Sequence, residues 1–271
     1  MKLKSNNTKS FKFGWLLLFL FSTQSLLAQF PYELKPSLDY SLIGLGALSL
    51  TAGQILENNN DILTVSEINS LSPGDINEFD RSTVYNYNQS AKDASNILVV
   101  ASVASPFFLI ANKEVRSNLV TVGIMGLEVV MVTYGLISTT KTSVLRTRPY
   151  VYNSIVPIAK KQELDARHSF FSGHTAGAAS MTFFAARVYS DTHPNSKWKP
   201  VVWTVAAALP MFVGRARVEA GMHFPTDVIT GYAVGAAIGF FVPVFHLKKD
   251  DSKASWSLQP NMNGLALRVV F

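Results

Sequence analysis

An all-α bundle of about six helices, followed by a small C-terminal β-hairpin, is the fold class this sequence predicts. Three observations predict it. Five apolar stretches of helical length succeed one another between residues 96 and 245, each bounded by polar or turn-forming residues. Hydrophobic residues make up 48% of the chain and charged ones only 15%. An ordinary soluble domain has roughly 25% charged residues, so much of this surface faces something other than water. Small residues recur inside the apolar stretches, as in GYAVGAAIG from Gly231 to Gly239, and let helices approach closely. The 271 residues suit one core, and no internal repeat divides them.

In chain order, residues 1–28 carry Lys2, Lys4, Lys9 and Lys12, then the apolar run Trp15 to Phe21, then STQSLLA. This reads as a secretory signal cleaved after Ala28, with an uncleaved anchor as the alternative. Residues 29–94 hold an N-terminal helix and a polar loop. Leu42 to Leu56 is apolar but too short to span a bilayer, and the acidic, Asn-rich Glu57 to Asp93 turns at Ser72-Pro73-Gly74. Residues 95–247 contain the five helical stretches, Asn96–Ala111, Leu119–Ser138, Ala176–Val188, Val201–Val213 and Val228–Phe245. Residues 248–271 are a tail in which Ser255–Gln259 and Leu265–Phe271 alternate around Asn263-Gly264, a strong hairpin signal.

Composition excludes several function classes. The net charge is +6, but the first 28 residues supply four lysines and no acid, leaving 20 basic against 18 acidic groups and no nucleic-acid patch. Cysteine is absent, which removes disulfides, thiolate metal sites and a cysteine nucleophile. No HExxH pattern, local carboxylate cluster or glycine-rich nucleotide loop appears, so no metal and no cofactor is predicted.

What remains is a set of residues suited to phosphoryl transfer. A phosphate ester repels nucleophiles, so a site must neutralise its equatorial oxygens, supply an in-line nucleophile and protonate the leaving oxygen. Lys141, Arg148 and Arg217 are candidates for the first task, although Lys141, Arg146 and Arg148 by themselves also read as a basic flank of a membrane helix. Ser172-Gly173-His174 precedes an apolar helix. Ser172 is either a plain N-cap or part of an anion site at the helix start, where Gly173 admits close backbone approach. His223 and Asp227 stand four apart around Pro225; the pair is either structural or an imidazole held by a carboxylate with its other nitrogen free. Glu128, inside an apolar helix, is expected to be paired or to face a polar interior. Arg146, Arg215, His168, His193 and His246 are read as ordinary polar residues.

Taken together, KTSVLRTRP (Lys141–Pro149), SFFSGHT (Ser169–Thr175) and GRARVEAGMHFPTD (Gly214–Asp227) resemble the three-part signature of the type 2 phosphatidic acid phosphatase and vanadium haloperoxidase superfamily. The resemblance runs roughly from Glu128 to Phe240. Phe171 replaces the usual proline and Ala216 a common serine. The resemblance implies a helical catalytic domain over 95–247 and phosphate binding by Lys141, Arg148, Ser172, Gly173 and Arg217. It also implies catalysis by His223 as nucleophile, His174 as general acid and Asp227 as the group that orients His223. The implied reaction is metal-independent hydrolysis of a phosphate monoester or diphosphate through a phosphohistidine, on a phosphorylated lipid (phosphatidate, isoprenyl diphosphate or lipid A type) or a small phosphate ester. The alternatives are a vanadate-dependent haloperoxidase, a soluble periplasmic acid phosphatase and a non-catalytic envelope phosphate-binding protein. Counting crossings with Leu42–Leu56 outside the bilayer puts Lys113, Arg116, Lys197, Lys199, Lys248 and Lys249 inside and the site on the periplasmic face. Oligomeric state is not legible.

Overall fold

The computed structural model describes residues 30–248, 255–261 and 264–270. The signal-sequence reading of residues 1–28 lies outside them. Ten α-helices occur among the described residues, not six. The six of fifteen residues or more form the body: α1 (Pro36–Asn58), α4 (Gln89–Val103), α6 (Leu119–Val144), α8 (Gly173–Thr192), α9 (Lys199–Glu219) and α10 (Pro225–Phe245). Four short helices occupy the connections: α2 (Val65–Ser70), α3 (Glu78–Arg81), α5 (Lys113–Ser117) and α7 (Ile158–Lys161). Their apolar patterns are too short to register as periodic, which is why the sequence hides them.

Local chemistry sets most boundaries. Proline occupies the first turn of α1, α9 and α10, where its missing N–H costs nothing. The stretch Asn96–Ala111 is not one helix. It breaks after Val103 into a 3-10 turn over Ser105–Ala111, because Pro106 cannot donate to the preceding turn. Leu42–Leu56 proves to be the interior of the 23-residue α1, about 35 Å long, which has the length of a bilayer but is not among the segments apolar enough to cross one. The polar region after α1 is built from α2, α3 and two 3-10 turns rather than open loop.

Glycines fix how the long helices pack. A Cβ added at Gly231, Gly235 or Gly239 would stand 2.0–2.6 Å from the carbonyl oxygens of Ser172, Ala176 and Ser180. The interval of four on both chains makes α8 and α10 parallel and aligns their N-termini. In the same way Gly46 and Gly53 of α1 lie on Met131 and Ser138 of α6, so that pair is parallel too. Thirteen of the twenty residues of α8 are buried, which makes it the central helix. Its Phe184 and Val188 pack with Met125 and Val129 of α6 and Val242 of α10.

The outer helices expose Leu48, Ile97, Val120, Phe212, Ile229 and Phe241. Four segments, Gln89–Ala111, Leu119–Tyr152, Lys199–Glu219 and Pro225–Phe245, are long and apolar enough to cross a membrane. The helical body contains no sheet, only an isolated bridge between Tyr32 and Leu247. Residues Ser255–Asn261 (β1) and Gly264–Val270 (β2) pair antiparallel with Asn261 opposite Gly264, and they join no other strand.

Candidate active site

Every residue singled out for phosphate chemistry lies at one end of the bundle. Lys141 is in the last turn of α6, Arg148 follows that helix, and Gly173 and His174 open α8. Arg217 is in the last turn of α9, and Asp227 is in the first turn of α10. The parallel α8 and α10 bring two of these pieces into contact, the Ser172 amide donating to the Asp227 carbonyl at 3.0 Å. Lys141 reaches across, its Cε 3.8 Å from where a side chain at Gly173 would begin. The amides opening α8 and the cationic groups of Lys141, Arg148 and Arg217 are groups of the kind that can receive a tetrahedral anion.

The turn between α9 and α10 aims His223. Gly221 adopts φ +69, and a Cβ there would also collide with the Asn86 carbonyl at 2.1 Å. Gly221 donates to the Val218 carbonyl and Met222 to the Arg217 carbonyl, both at 3.0 Å, the double bond that ends a helix on a left-handed glycine. His223 then enters the interior fully buried. Its Nδ1 is 2.7 Å from the Ser169 carbonyl oxygen, which can only accept, so Nδ1 carries the proton. Nε2 is therefore bare and accepts from Arg148 Nη1 at 3.2 Å. Burial, and after it the charges of Arg148, Lys141 and Arg217, hold this imidazole well below its ordinary pKa.

Asp227 does not bond His223 directly, contrary to the expected pairing; the closest approach is 3.6 Å. Its Oδ2 accepts instead from the Ser169 hydroxyl at 2.6 Å and from the Phe224 amide at 2.9 Å. The i, i+4 spacing brings the two side chains near, but the capping bond to Phe224 turns the carboxylate toward the helix start. Asp227 thus reaches His223 only by way of Ser169, the residue whose carbonyl holds the ring.

Arg146, read from sequence as an ordinary basic residue, is a second correction. It donates to Asp227 Oδ1, to Asp80 Oδ2 at 2.8 Å and to Thr226 Oγ1 at 2.8 Å, and its guanidinium lies over the Phe224 ring. Asp80 in turn accepts from the Thr226 amide and hydroxyl. This network ties α3 to the start of α10.

The remaining groups are held from several sides. Arg148 donates to the Asp165 carboxylate at 2.6 Å and to the Asp165 and Met222 carbonyls. Burial alone would raise the Asp165 pKa, but Arg148 and Lys141 draw it down to about 2. Arg217 donates to Ser95 Oγ at 3.3 Å and leaves its buried Nε without a partner, a donor free for an anion. His174 Nε2 meets Asn96 Oδ1 at 3.0 Å. Asp80, Ser95, Asn96, Asp165 and Ser169 were not anticipated, because each is an ordinary polar residue whose role depends on long-range contact.

The chain resembles several known proteins. The family described as PAP2 superfamily matches residues 121–251, which include every signature residue. A lipid A 4'-phosphatase of Porphyromonas gingivalis is 31% identical over 146 residues, 53% of this chain and 58% of the relative. A phosphatidylglycerophosphatase B of Bacillus subtilis is 35% identical over 85 residues, 31% of this chain and 42% of the relative. The chain thus spans well under two thirds of the length of either relative. Among solved structures, a transmembrane PAP2 type phosphatidylglycerolphosphate phosphatase from Bacillus subtilis is 22% identical with a TM-score of 0.41, covering 76% of this chain and 96% of its own. Over residues 121–251, just under half of its length, this chain is thus similar to the PAP2 superfamily.

Proposed function

We propose that this chain is a membrane phosphatase that hydrolyses the phosphate monoester or diphosphate of a lipid through a phosphohistidine. The observation that carries the reading is the bare Nε2 of His223, fixed by the Ser169 carbonyl and set against Arg148. In the first step a bond forms from Nε2 to phosphorus while the bond from phosphorus to the leaving oxygen breaks; His174, whose pKa burial and the charges of Arg217, Lys141 and Arg148 hold down to about 3 in the empty site, takes up a proton as the phosphate dianion offsets those charges and transfers it to that oxygen. Lys141, Arg148 and Arg217 hold the equatorial oxygens. In the second step His174 accepts a proton from water, which attacks phosphorus and releases His223. A lipid substrate is favoured because both curated relatives are named for phosphorylated lipids and because the outer helices are apolar.

The site end faces the periplasm in this proposal. Lys113, Arg116, Lys197, Lys199 and Lys248 all belong to the opposite end, where cytoplasmic basic residues are expected. Because α1 runs parallel to α6, its N-terminal end lies on that basic side as well. The cysteine-free chain allows a direct check with a membrane-impermeant maleimide. Ser154→Cys should label in intact cells and Asn195→Cys only after lysis. The reverse pattern would put the site in the cytoplasm.

The test of function is phosphate release from lipid and soluble phosphate esters, with and without EDTA, together with rapid-quench recovery of phosphate on the protein. Turnover with acid-labile, base-stable phosphate at His223 is expected. Release without any such intermediate would remove the covalent mechanism, and no release from any substrate would remove the enzyme.

A further inference from the structure

A second polar cluster lies far from the phosphate site, within the bundle. Asp39 from the first turn of α1, Glu128 from α6 and His246 just after α10 are all buried, and one ligand atom from each lies within 4.8 Å of the others. Thirteen residues of helix, roughly 20 Å, separate Glu128 from Lys141. No spacing pattern joins residues 39, 128 and 246, so a motif search passes over them.

The hydrogen bonds restrict what this cluster can be. His246 Nδ1 is 2.8 Å from the Val242 carbonyl, an acceptor only, so Nδ1 holds a proton. Nε2 points at Asp39 Oδ1 at 2.8 Å and toward Glu128 Oε2 at 3.3 Å. In the neutral ring three lone-pair donors therefore converge, an arrangement that favours a proton or a metal cation among them. If that cation is only the Nε2 proton, two carboxylates share one imidazolium and the buried cluster keeps a net negative charge. Glu128 is 0% exposed, and neither of its oxygens has a hydrogen-bond partner. Among the described residues His246 is the only side-chain cation within salt-bridge distance of Asp39 or Glu128, and Lys35 offers Asp39 its backbone amide only. An unpaired buried carboxylate oxygen is costly.

We propose that Asp39, Glu128 and His246 form a site for a divalent transition metal of the zinc type. A dication balances two carboxylates beside a neutral imidazole and gives Glu128 the partner it lacks. One imidazole and two carboxylates are a donor set that Zn²⁺ accepts. The two His246 distances, 2.8 and 3.3 Å, fall slightly short of the separation of about 3.4 Å expected between tetrahedral ligands each about 2.1 Å from zinc, so the ligands would spread a little around the ion. The carbonyl bond at Nδ1 is the outer support that metal-bound histidines commonly have. The metal would pin the start of α1 to α6 and to the end of α10, where Lys35 Nζ already donates to the Phe245 and Leu247 carbonyls.

The test uses the full chain without a histidine tag, purified in detergent, loaded with Zn²⁺ and then dialysed. The wild type should retain about one zinc per chain by mass spectrometry, and Glu128→Gln and Asp39→Asn should each retain a tenth or less. Co²⁺ in the wild type should show the visible bands of a four- or five-coordinate site. Chelation should lower the wild-type melting temperature and zinc should restore it, a reading that does not depend on the variants folding. No zinc retained by the wild type, or equal retention in both variants, would overturn the proposal and leave a proton-linked ion cluster.

Discussion

Helix α10 has a histidine at each end, and the two are anchored alike but face opposite charge. His223 gives its Nδ1 proton to the Ser169 carbonyl, and His246 gives its own to the Val242 carbonyl. In both rings the backbone therefore fixes the tautomer, and what meets Nε2 decides the role. At His223 the neighbour is Arg148, with Lys141 and Arg217 close enough to act on the ring, so its lone pair stays free for an electrophile that carries negative charge elsewhere. At His246 the neighbours are Asp39 and Glu128, so the lone pair joins a cradle for a cation.

The largest test of this contrast is to delete each ring. His223→Ala should lose at least about 10⁴-fold in turnover and all phosphate labelling, on the scale of removing a nucleophile from a concerted set. His246→Ala should leave the chemistry intact in protein that folds, and change stability and zinc retention instead. Equal loss of turnover in both variants would erase the distinction. Arg217→Lys comes next, with a loss of about 10²–10³-fold, because an ammonium cannot reproduce the placement of the open Nε and its neighbours. His174→Ala should be selective: most turnover lost on an alkyl phosphate, part of it kept on an aryl phosphate whose leaving group needs little protonation. Equal loss on both would remove His174 from the acid role.

A smaller effect concerns pH. His223 acts in its neutral form, and its folded pKa is held below the ordinary value of about 6.5. As pH falls through that value the ring stays unprotonated. The acid limb of phosphoenzyme formation, corrected for substrate ionisation, should therefore lie below pH of about 6.5. A limb at or above it would mean that burial and the three cations do not govern this ring.

How much of this was legible follows the same contrast. The site end could be read because its residues sit in short segments at helix ends, where local spacing carries the geometry: Lys141 and Arg148, Ser172 to His174, Arg217 to Asp227. The helical body was legible from apolar runs, and the Gly231, Gly235, Gly239 stripe from its spacing. Two features were not. Arg146 looks like any flanking arginine until α3 brings Asp80 beside it. Asp39, Glu128 and His246 meet only because α1 packs parallel to α6 at the end of α10, a tertiary fact with no local signal. The i, i+4 pairing of His223 with Asp227 misled for a related reason, since spacing gives proximity but not the direction of a carboxylate that also caps its helix.

The finest test concerns that carboxylate. If Asp227 acts on His223 through Ser169, removing the Ser169 hydroxyl should cost less than removing Asp227. The carbonyl that holds Nδ1 belongs to the backbone and survives in Ser169→Ala. Asp227 would keep the Phe224 amide and Arg146. One buried hydrogen bond is worth about 1–1.5 kcal/mol, so turnover should fall by roughly tenfold. Asp227→Ala also takes one of three partners from Arg146 and uncaps α10, and should cost considerably more. The measurement is the rate of phosphoenzyme formation for both variants on one substrate. If Ser169→Ala is as damaging as Asp227→Ala, the hydroxyl is the essential link and the carbonyl alone cannot hold the ring. If Ser169→Ala matches the wild type, Asp227 works by closing to His223 directly when phosphate is bound, across the 3.6 Å that now separates them.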